Sequence, residues 1–246
     1  MQKISQPFLL VGAKNVRELG GYWSTGGDVT QPHRFLRGDE LQNLTDTDCR
    51  VLYDYGVRQV IDLRSQGEVE RGSDRLPALY PDVAWLNVPM TDHVRGNRYS
   101  SEFPPSMWQL YRWLLDDSGD DFRTVFRTML GAGEHCVLFH CVGGKDRTGV
   151  VSMLLLKLAG VDDDTVAGDY ALTEHAMKDI FPIQKAEMES RGLAVPDYIL
   201  KSPPDNMTRT LAYLRATYGS AEGYMRRIGL TQAEIDALRR RLLAAG

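Results

Sequence analysis

The chain has 246 residues, of which 43% are hydrophobic and 25% are charged, and its formal net charge is −4. This composition is typical of one soluble globular domain with a substantial core, and no apolar run is long enough to span a membrane. The negative charge gives no general attraction to nucleic acid or to anionic membranes. We therefore predict a single domain over residues 1–246, without nucleic-acid binding or integral membrane association.

The cysteine content indicates a reducing compartment. Three cysteines, Cys49, Cys136 and Cys141, are too few and of the wrong parity for a disulfide framework. The only N-terminal apolar stretch, residues 8–13, is short and is not followed by a small-residue cleavage site, so we expect no secretory signal. A cytoplasmic location is expected. Export by another route and the oligomeric state stay open.

The first elements are predicted from turn and capping signals. Residues 20–38 carry aromatic and β-branched residues around a Gly-Gly-Asp sequence, which predicts an opening hairpin. A helix is predicted over 45–55, because Thr45 and Asp48 form a capping box and Gly56 can end the helix.

The middle of the chain alternates strand and helix patterns. Short apolar runs bounded by Gly and Pro predict strands at 58–64, 83–90 and 135–141. Helical patterns follow at 105–116, 120–131 and 147–159, the last apolar nearly all round. Strands that alternate with helices predict an α/β fold with a central, largely parallel sheet flanked by helices.

The last third of the chain is predicted to be helical. Four prolines interrupt residues 176–206, which predicts a helical insertion within the domain that can form a lid. Thr231 and Glu234 form a capping box that opens the terminal helix.

The segment HCVGGKDRTG, residues 140–149, joins a buried strand to a buried helix. Backbone amides and the positive end of the helix dipole converge at such a junction and bind oxyanions such as phosphate. Gly143 and Gly144 allow the backbone to turn its amides inward, and Arg147 offers a planar fork for two phosphate oxygens.

Cys141 lies in the same positive electrostatic field at the start of the helix. Helix N-termini and neighbouring cations favour the thiolate, which is the nucleophilic form of cysteine. The pattern therefore predicts displacement on a phosphate monoester, with a phosphocysteine that water later hydrolyses.

The Cys-x5-Arg-Thr pattern, Cys141 to Thr148, resembles the loop of the cysteine-dependent protein tyrosine phosphatase superfamily. The full ten-residue segment is similar to the atypical bacterial branch, which includes the mycobacterial protein tyrosine phosphatase B and LipA types. Four further segments also resemble this branch: 15–21, 61–70, 169–175 and 218–230. Glu18 replaces the Asp usual in the family, and Gly143 stands where relatives often carry Ala.

The resemblance implies roles for the loop residues. Cys141 is the nucleophile, Arg147 binds and stabilises the phosphoryl group, and Thr148 donates to the sulfur as it leaves. Asp146 is the expected general acid, with Asp92 and Asp82 as alternatives. The expected substrate-binding residues are Val142, Gly143, Gly144 and Lys145.

The resemblance also implies the ligands. We expect phosphorylated proteins (phosphotyrosine, and also phosphoserine or phosphothreonine) or phosphoinositides as substrates, with Lys145 available for a second phosphate. Inorganic phosphate should bind in the loop. His33, His93, His135 and His175 lack the spacing to cysteines or acidic residues that metal sites show, so no metal is predicted. No cofactor is predicted either. Two alternatives remain: a non-catalytic phosphate-binding module and a rhodanese-type sulfurtransferase.

Overall fold

The computed structural model describes residues 5–90 and 103–243. A five-stranded sheet in the order β1-β2-β5-β3-β4 lies at its centre. The strands are β1 (Arg17–Glu18), β2 (Phe35–Gly38), β3 (Val57–Asp62), β4 (Ala84–Asn87) and β5 (Cys136–His140). The pairs β2–β5, β5–β3 and β3–β4 are parallel, and only β1 runs antiparallel to its neighbour. The predicted α/β fold with a largely parallel sheet is confirmed.

The register of the sheet brings the carboxyl ends of three strands together. His140 at the end of β5 lies opposite Gly38 of β2 and opposite Asp62 of β3. The loop that leaves β5 is therefore flanked by the segments that leave β2 and β3. Ligand sites in open parallel sheets are found at this edge.

Helices cover both faces of the sheet. Within the described ranges there are eleven α-helices and one 3-10 helix, which spans Asp197–Leu200. The α-helices are α1 (Asp46–Asp54), α2 (Gln66–Val69), α3 (Arg75–Leu79), α4 (Met107–Asp117), α5 (Gly119–Gly131), α6 (Arg147–Leu158), α7 (Asp163–Ala176), α8 (Phe181–Ser190), α9 (Pro204–Tyr218), α10 (Ala221–Arg227) and α11 (Gln232–Leu242). None of the described helices is long and apolar enough to cross a membrane.

The core has two parts, one on each face of the sheet. Along β5, Val137 and Phe139 pack into the larger cluster with α4 to α7 and α9 to α11, whereas Cys136 and Leu138 pack into the smaller cluster with α1 and α3. This alternation follows the two-residue period of a strand. Because both faces are covered, every residue of β5 is buried, and the loop that follows is held on a rigid base.

Local signals predicted the helix boundaries well. Thr45 and Asp48 form the predicted capping box at the start of α1, and Thr231 with Glu234 does the same for α11. After β5 the described chain contains helices and no further strand of the sheet, as expected.

The predicted opening hairpin is only partly right. Trp23 and Val29 form a single antiparallel bridge around the Gly-Gly-Asp turn. The predicted second strand does not continue along the first: Pro32 has no amide to donate, and His33 takes φ 60°. The chain then turns away, and β2 joins the central sheet beside β5.

Candidate active site

The loop from Cys141 to Asp146 lies at the carboxyl edge of the sheet and leads into α6. Cys141 is 2% exposed. Gly144 has φ 63°, and a Cβ at this position would lie 2.6 Å from the carbonyl oxygen of Gly38. Both the left-handed conformation and the close approach therefore require glycine at this position.

The outer side of the loop is bound through its carbonyl groups. Asn15 Nδ2 donates to the carbonyls of Gly143 and Gly144 at 2.9 and 3.3 Å, and Arg37 Nη2 donates to Gly144 at 2.6 Å. The carbonyl of Val142 accepts from the amide of Glu40 at 3.1 Å. In a trans peptide the N–H points away from the preceding carbonyl. These contacts thus direct the loop amides towards the opposite side, where an anion can bind.

A buried ion network supports these contacts. Asp169 Oδ1 lies 2.9 Å from Arg17 Nε, and its other oxygen pairs with Arg37. Tyr22 donates to the same carboxylate at 3.0 Å. Burial alone would raise the pKa of Asp169, but the guanidinium groups of Arg17 and Arg37 hold it below its ordinary value. The network holds Arg37 where it can bind the loop.

Arg147 is fixed by a carboxylate from α2. Its Nη1 and Nη2 lie 2.5 and 3.1 Å from the two oxygens of Glu68, and Nη1 also donates to the carbonyl of Leu63 at 3.1 Å. Burial would raise the pKa of Glu68, but Arg147 and the contacts with Ser65 lower it to about 2. Burial would also lower the pKa of Arg147, but Glu68 and the neighbouring Cys141 raise it. Arg147 is therefore charged and oriented before any substrate binds.

Two other predicted catalytic residues lie at the start of α6. Asp146 occupies the N-cap position without capping the helix through its side chain. Its Oδ1 instead accepts from the hydroxyl of Tyr111 at 2.6 Å. Thr148 Oγ1 is buried and has no hydrogen-bond partner among the described residues, so its hydroxyl can serve an acceptor that appears during a reaction.

Lys145 faces the predicted insertion. It is 2% exposed, and its ammonium donates to the carbonyl of Ile199 and to that of Lys201, the latter at 3.2 Å. The ring of Phe181 lies over the same part of the loop, since a Cβ on Gly143 would be 3.3 Å from it. The segment 176–206 thus contacts the loop at two points.

His140, directly before Cys141, is fully buried in a charged cluster. Its Nε2 lies 2.8 Å from Asp74 Oδ2, and burial, which alone would lower its pKa, is outweighed by Asp74 and Asp62, which raise it to about 9. Asp62, Asp74 and His140 are close enough to share a metal ion. However, Arg64 pairs with both carboxylates at 2.8 and 2.9 Å and already supplies the positive charge. The cluster is therefore a charge network behind Cys141.

Not all residues named from the sequence lie at the loop. Asp82 lies before β4, at the amino-terminal end of the parallel strands, and contacts Tyr53 and Arg58. Asp92 lies outside the described residues. Cys49 and Cys136 are buried in the smaller core cluster. Of the predicted acids among the described residues, Asp146 is the one that lies in the loop that begins at Cys141.

Several residues of the site had no assigned role in the sequence analysis. Asn15 and Asp169 lie within the segments 15–21 and 169–175 that resemble the family, and this resemblance could have marked them as site residues. Tyr111 follows the helical pattern of any core aromatic, and no motif marks it.

The chain is similar to known phosphatases over most of its length. The model of the tyrosine phosphatase family matches residues 9–244. A tyrosine-protein phosphatase of Nostoc commune is 33% identical over 86% of this chain and 75% of its own length. The triple specificity protein phosphatase PtpB of Mycobacterium tuberculosis is 27% identical over 93% of this chain and 99% of its own. The crystal structure of P. aeruginosa TpbA overlaps with a TM-score of 0.42 and 14% identity, covering 92% of this chain and 97% of that one. Because the family model matches nearly the whole chain, this chain belongs to the tyrosine phosphatase family.

Proposed function

We propose that this protein hydrolyses phosphate monoesters, phosphotyrosine first, through a phosphocysteine at Cys141. The arrangement that supports this most strongly lies where the loop meets α6. A buried thiol, inward-directed amides and a charged guanidinium meet at the N-terminus of α6. The helix terminus and Arg147 favour the thiolate and then the phosphoryl oxygens in the same place.

The first step transfers the phosphoryl group to sulfur. The Cys141 thiolate attacks phosphorus, an S–P bond forms, and the bond to the leaving oxygen breaks. Asp146 gives its proton to that oxygen, so the alcohol leaves neutral. Arg147 and the loop amides hold the equatorial oxygens.

The second step hydrolyses the phosphocysteine and regenerates the free enzyme. Water attacks the phosphocysteine and the S–P bond breaks, while the Asp146 carboxylate takes the proton of the water. The unpaired hydroxyl of Thr148 donates to the sulfur as it becomes a thiolate. Inorganic phosphate then leaves the loop.

We extend the proposed substrates to phosphoserine and phosphothreonine because a relative over most of the chain is named a triple specificity phosphatase. Phosphoinositides are a further proposed class. Lys145 would hold a second phosphate only after releasing the carbonyls of Ile199 and Lys201. Use of phosphoinositides therefore depends on movement of the segment 176–206, and we propose that this segment is a lid over the loop.

Release of phosphate from p-nitrophenyl phosphate tests the proposal. We expect Cys141→Ser to lose turnover by several orders of magnitude and Arg147→Ala by about 10³-fold. Cys49→Ala is the matched control, because Cys49 is a buried thiol away from the loop. Values of kcat/KM for phosphotyrosine, phosphoserine and phosphoinositide substrates then rank the classes.

Turnover by Cys141→Ser near the parent rate would rule out the phosphocysteine. Binding of phosphate without its release from any ester would indicate the phosphate-binding module instead. Formation of thiocyanate from thiosulfate and cyanide would indicate the sulfurtransferase.

A further inference from the structure

A chain of hydrogen bonds from three helices ends on Asp146. Tyr111 of α4 lies 2.6 Å from Asp146 Oδ1, and its hydroxyl lies 2.7 Å from that of Tyr170 of α7. Asn206 of α9 donates to Tyr170 through its side-chain amide at 3.4 Å. Tyr111 is completely buried, and Tyr170 is 1% exposed.

The direction of this chain follows from the number of protons. A phenol has one proton to donate. Tyr111 donates its one hydroxyl hydrogen bond to Asp146, so its oxygen accepts from Tyr170, whose oxygen accepts in turn from Asn206. Burial and the nearby Asp146 raise the pKa of both phenols, so both remain protonated donors. Every donor in the chain therefore points towards the carboxylate.

The contacts of the Asp146 carboxyl group distinguish its two oxygens as positions for the acid proton. Asp146 Oδ1 accepts from Tyr111 and also faces Lys145 Nζ at 3.5 Å. Arg147 and Cys141 are the other charged or titratable groups of its own loop, and Tyr111 and Tyr170 face it from α4 and α7. An oxygen that already accepts from a phenol is a poor position for the acid proton, which is better placed on Oδ2.

We propose that Tyr111 is a positioning residue for the general acid. By donating to Oδ1, it orients the Asp146 carboxyl group and keeps the transferable proton on Oδ2. This inference rests on the proposed function, in which Asp146 protonates the leaving oxygen. After that transfer the same hydrogen bond stabilises the carboxylate, which must then accept a proton from water. Tyr111 thus acts through Asp146 and not on the reacting atoms themselves.

The dependence of rate on the leaving group tests this role. The measurement is kcat/KM for aryl phosphates, from 2,4-dinitrophenyl phosphate, whose phenolate leaves without a proton, to phenyl phosphate, which needs one. We expect Tyr111→Phe to lose about tenfold on phenyl phosphate, part of the contribution of a general acid. On the dinitrophenyl ester it should stay within about twofold of the parent.

Two further variants provide a positive comparison and a control for this result. Asp146→Asn should show a larger loss in the same direction, because it removes the acid itself. Tyr224→Phe is the matched control: Tyr224 is also fully buried in the larger cluster, but its hydroxyl donates to the carbonyl of Leu115 at 3.1 Å. Tyr224→Phe should leave the dependence of kcat/KM on the leaving group unchanged. If Tyr111→Phe does not fold, Tyr170→Phe should give the same effect at smaller size, because it removes the donor to Tyr111.

Each failure has a distinct signature. If Asp146→Asn becomes sensitive to the leaving group but Tyr111→Phe and Tyr170→Phe match the parent, the positioning role is wrong and the proposed acid stands. If Tyr111→Phe loses the same factor on every ester, its role is structural only and the inference is overturned. If Asp146→Asn shows no added sensitivity, the assignment of the acid fails, and the inference fails with it.

Discussion

At the scale of single residues, His140 places a positive charge in the core directly before Cys141 in the chain. Its pKa of about 9 arises because Asp74 and Asp62 outweigh the cost of burial. Burial would likewise raise the pKa of Asp74, but His140 and Arg64 lower it. Both members of the pair are therefore charged at neutral pH.

This pair makes the stability of the fold depend on pH. Below the ordinary histidine pKa of 6.5, His140 is protonated in both the folded and the unfolded state, and its contribution is complete. Between pH 6.5 and about 9 only the folded state retains the proton, so the free energy of unfolding falls as the pH rises. The loss amounts to about 3 kcal/mol once the folded pKa is passed.

Urea unfolding of the parent and of His140→Gln at pH 6.5 and above pH 9 measures this contribution. We expect the parent to lose more stability than His140→Gln over this range, because the variant has no imidazole to titrate. His135→Gln is the control, since His135 is exposed just before the same strand. Equal losses in the parent and in His140→Gln would show that His140 is not charged in the folded state.

At the scale of elements, α8 and the 3-10 helix both contact the loop, through Phe181 and through the carbonyl of Ile199. Phe181 is 6% exposed and lies against Gly143, whereas Ile183, two residues later on the same helix, is 64% exposed. Reciprocal hydrogen bonds between Glu174 and Ser202, both at 2.9 Å, close the base of the segment. The segment is thus anchored at its base and in contact at its inner face.

These contacts predict how fast the thiol reacts. If α8 limits access, Phe181→Ala should raise the rate at which iodoacetamide alkylates Cys141 severalfold. Ile183→Ala should leave that rate unchanged, because its side chain points to solvent. Mass spectrometry of the labelled peptide follows the rate. Equal rates in both variants and the parent would show that this segment does not restrict access to the loop.

At the scale of the whole molecule, local patterns predicted more than distant contacts did. The capping boxes of α1 and α11, the alternation of strands and helices, and the strand-loop-helix around Cys141 all depend on residues within a few positions of one another. The carboxyl edge of a parallel sheet then follows from topology. These features could therefore be predicted from the sequence.

The support of the loop could not be predicted in the same way. Asn15 binds the carbonyl of a residue 128 positions away, and Arg17 pairs with Asp169 at a separation of 152. Tyr111 reaches Asp146 from a helix whose apolar pattern explains it equally well as a core residue. Arg64 and Glu68 are only four positions apart, yet they serve different partners: Arg64 binds Asp62 and Asp74, and Glu68 binds Arg147. No local pattern specifies such pairings.

The central claim is that phosphate passes through the sulfur of Cys141, and trapping that intermediate tests it most directly. The enzyme is quenched in acid during turnover of p-nitrophenyl phosphate, digested, and examined by mass spectrometry. The phosphocysteine mechanism predicts phosphate on the peptide that contains Cys141 and none on the peptides of Cys49 and Cys136. Full turnover with no phosphorylated Cys141, or with phosphate on another residue, would contradict it.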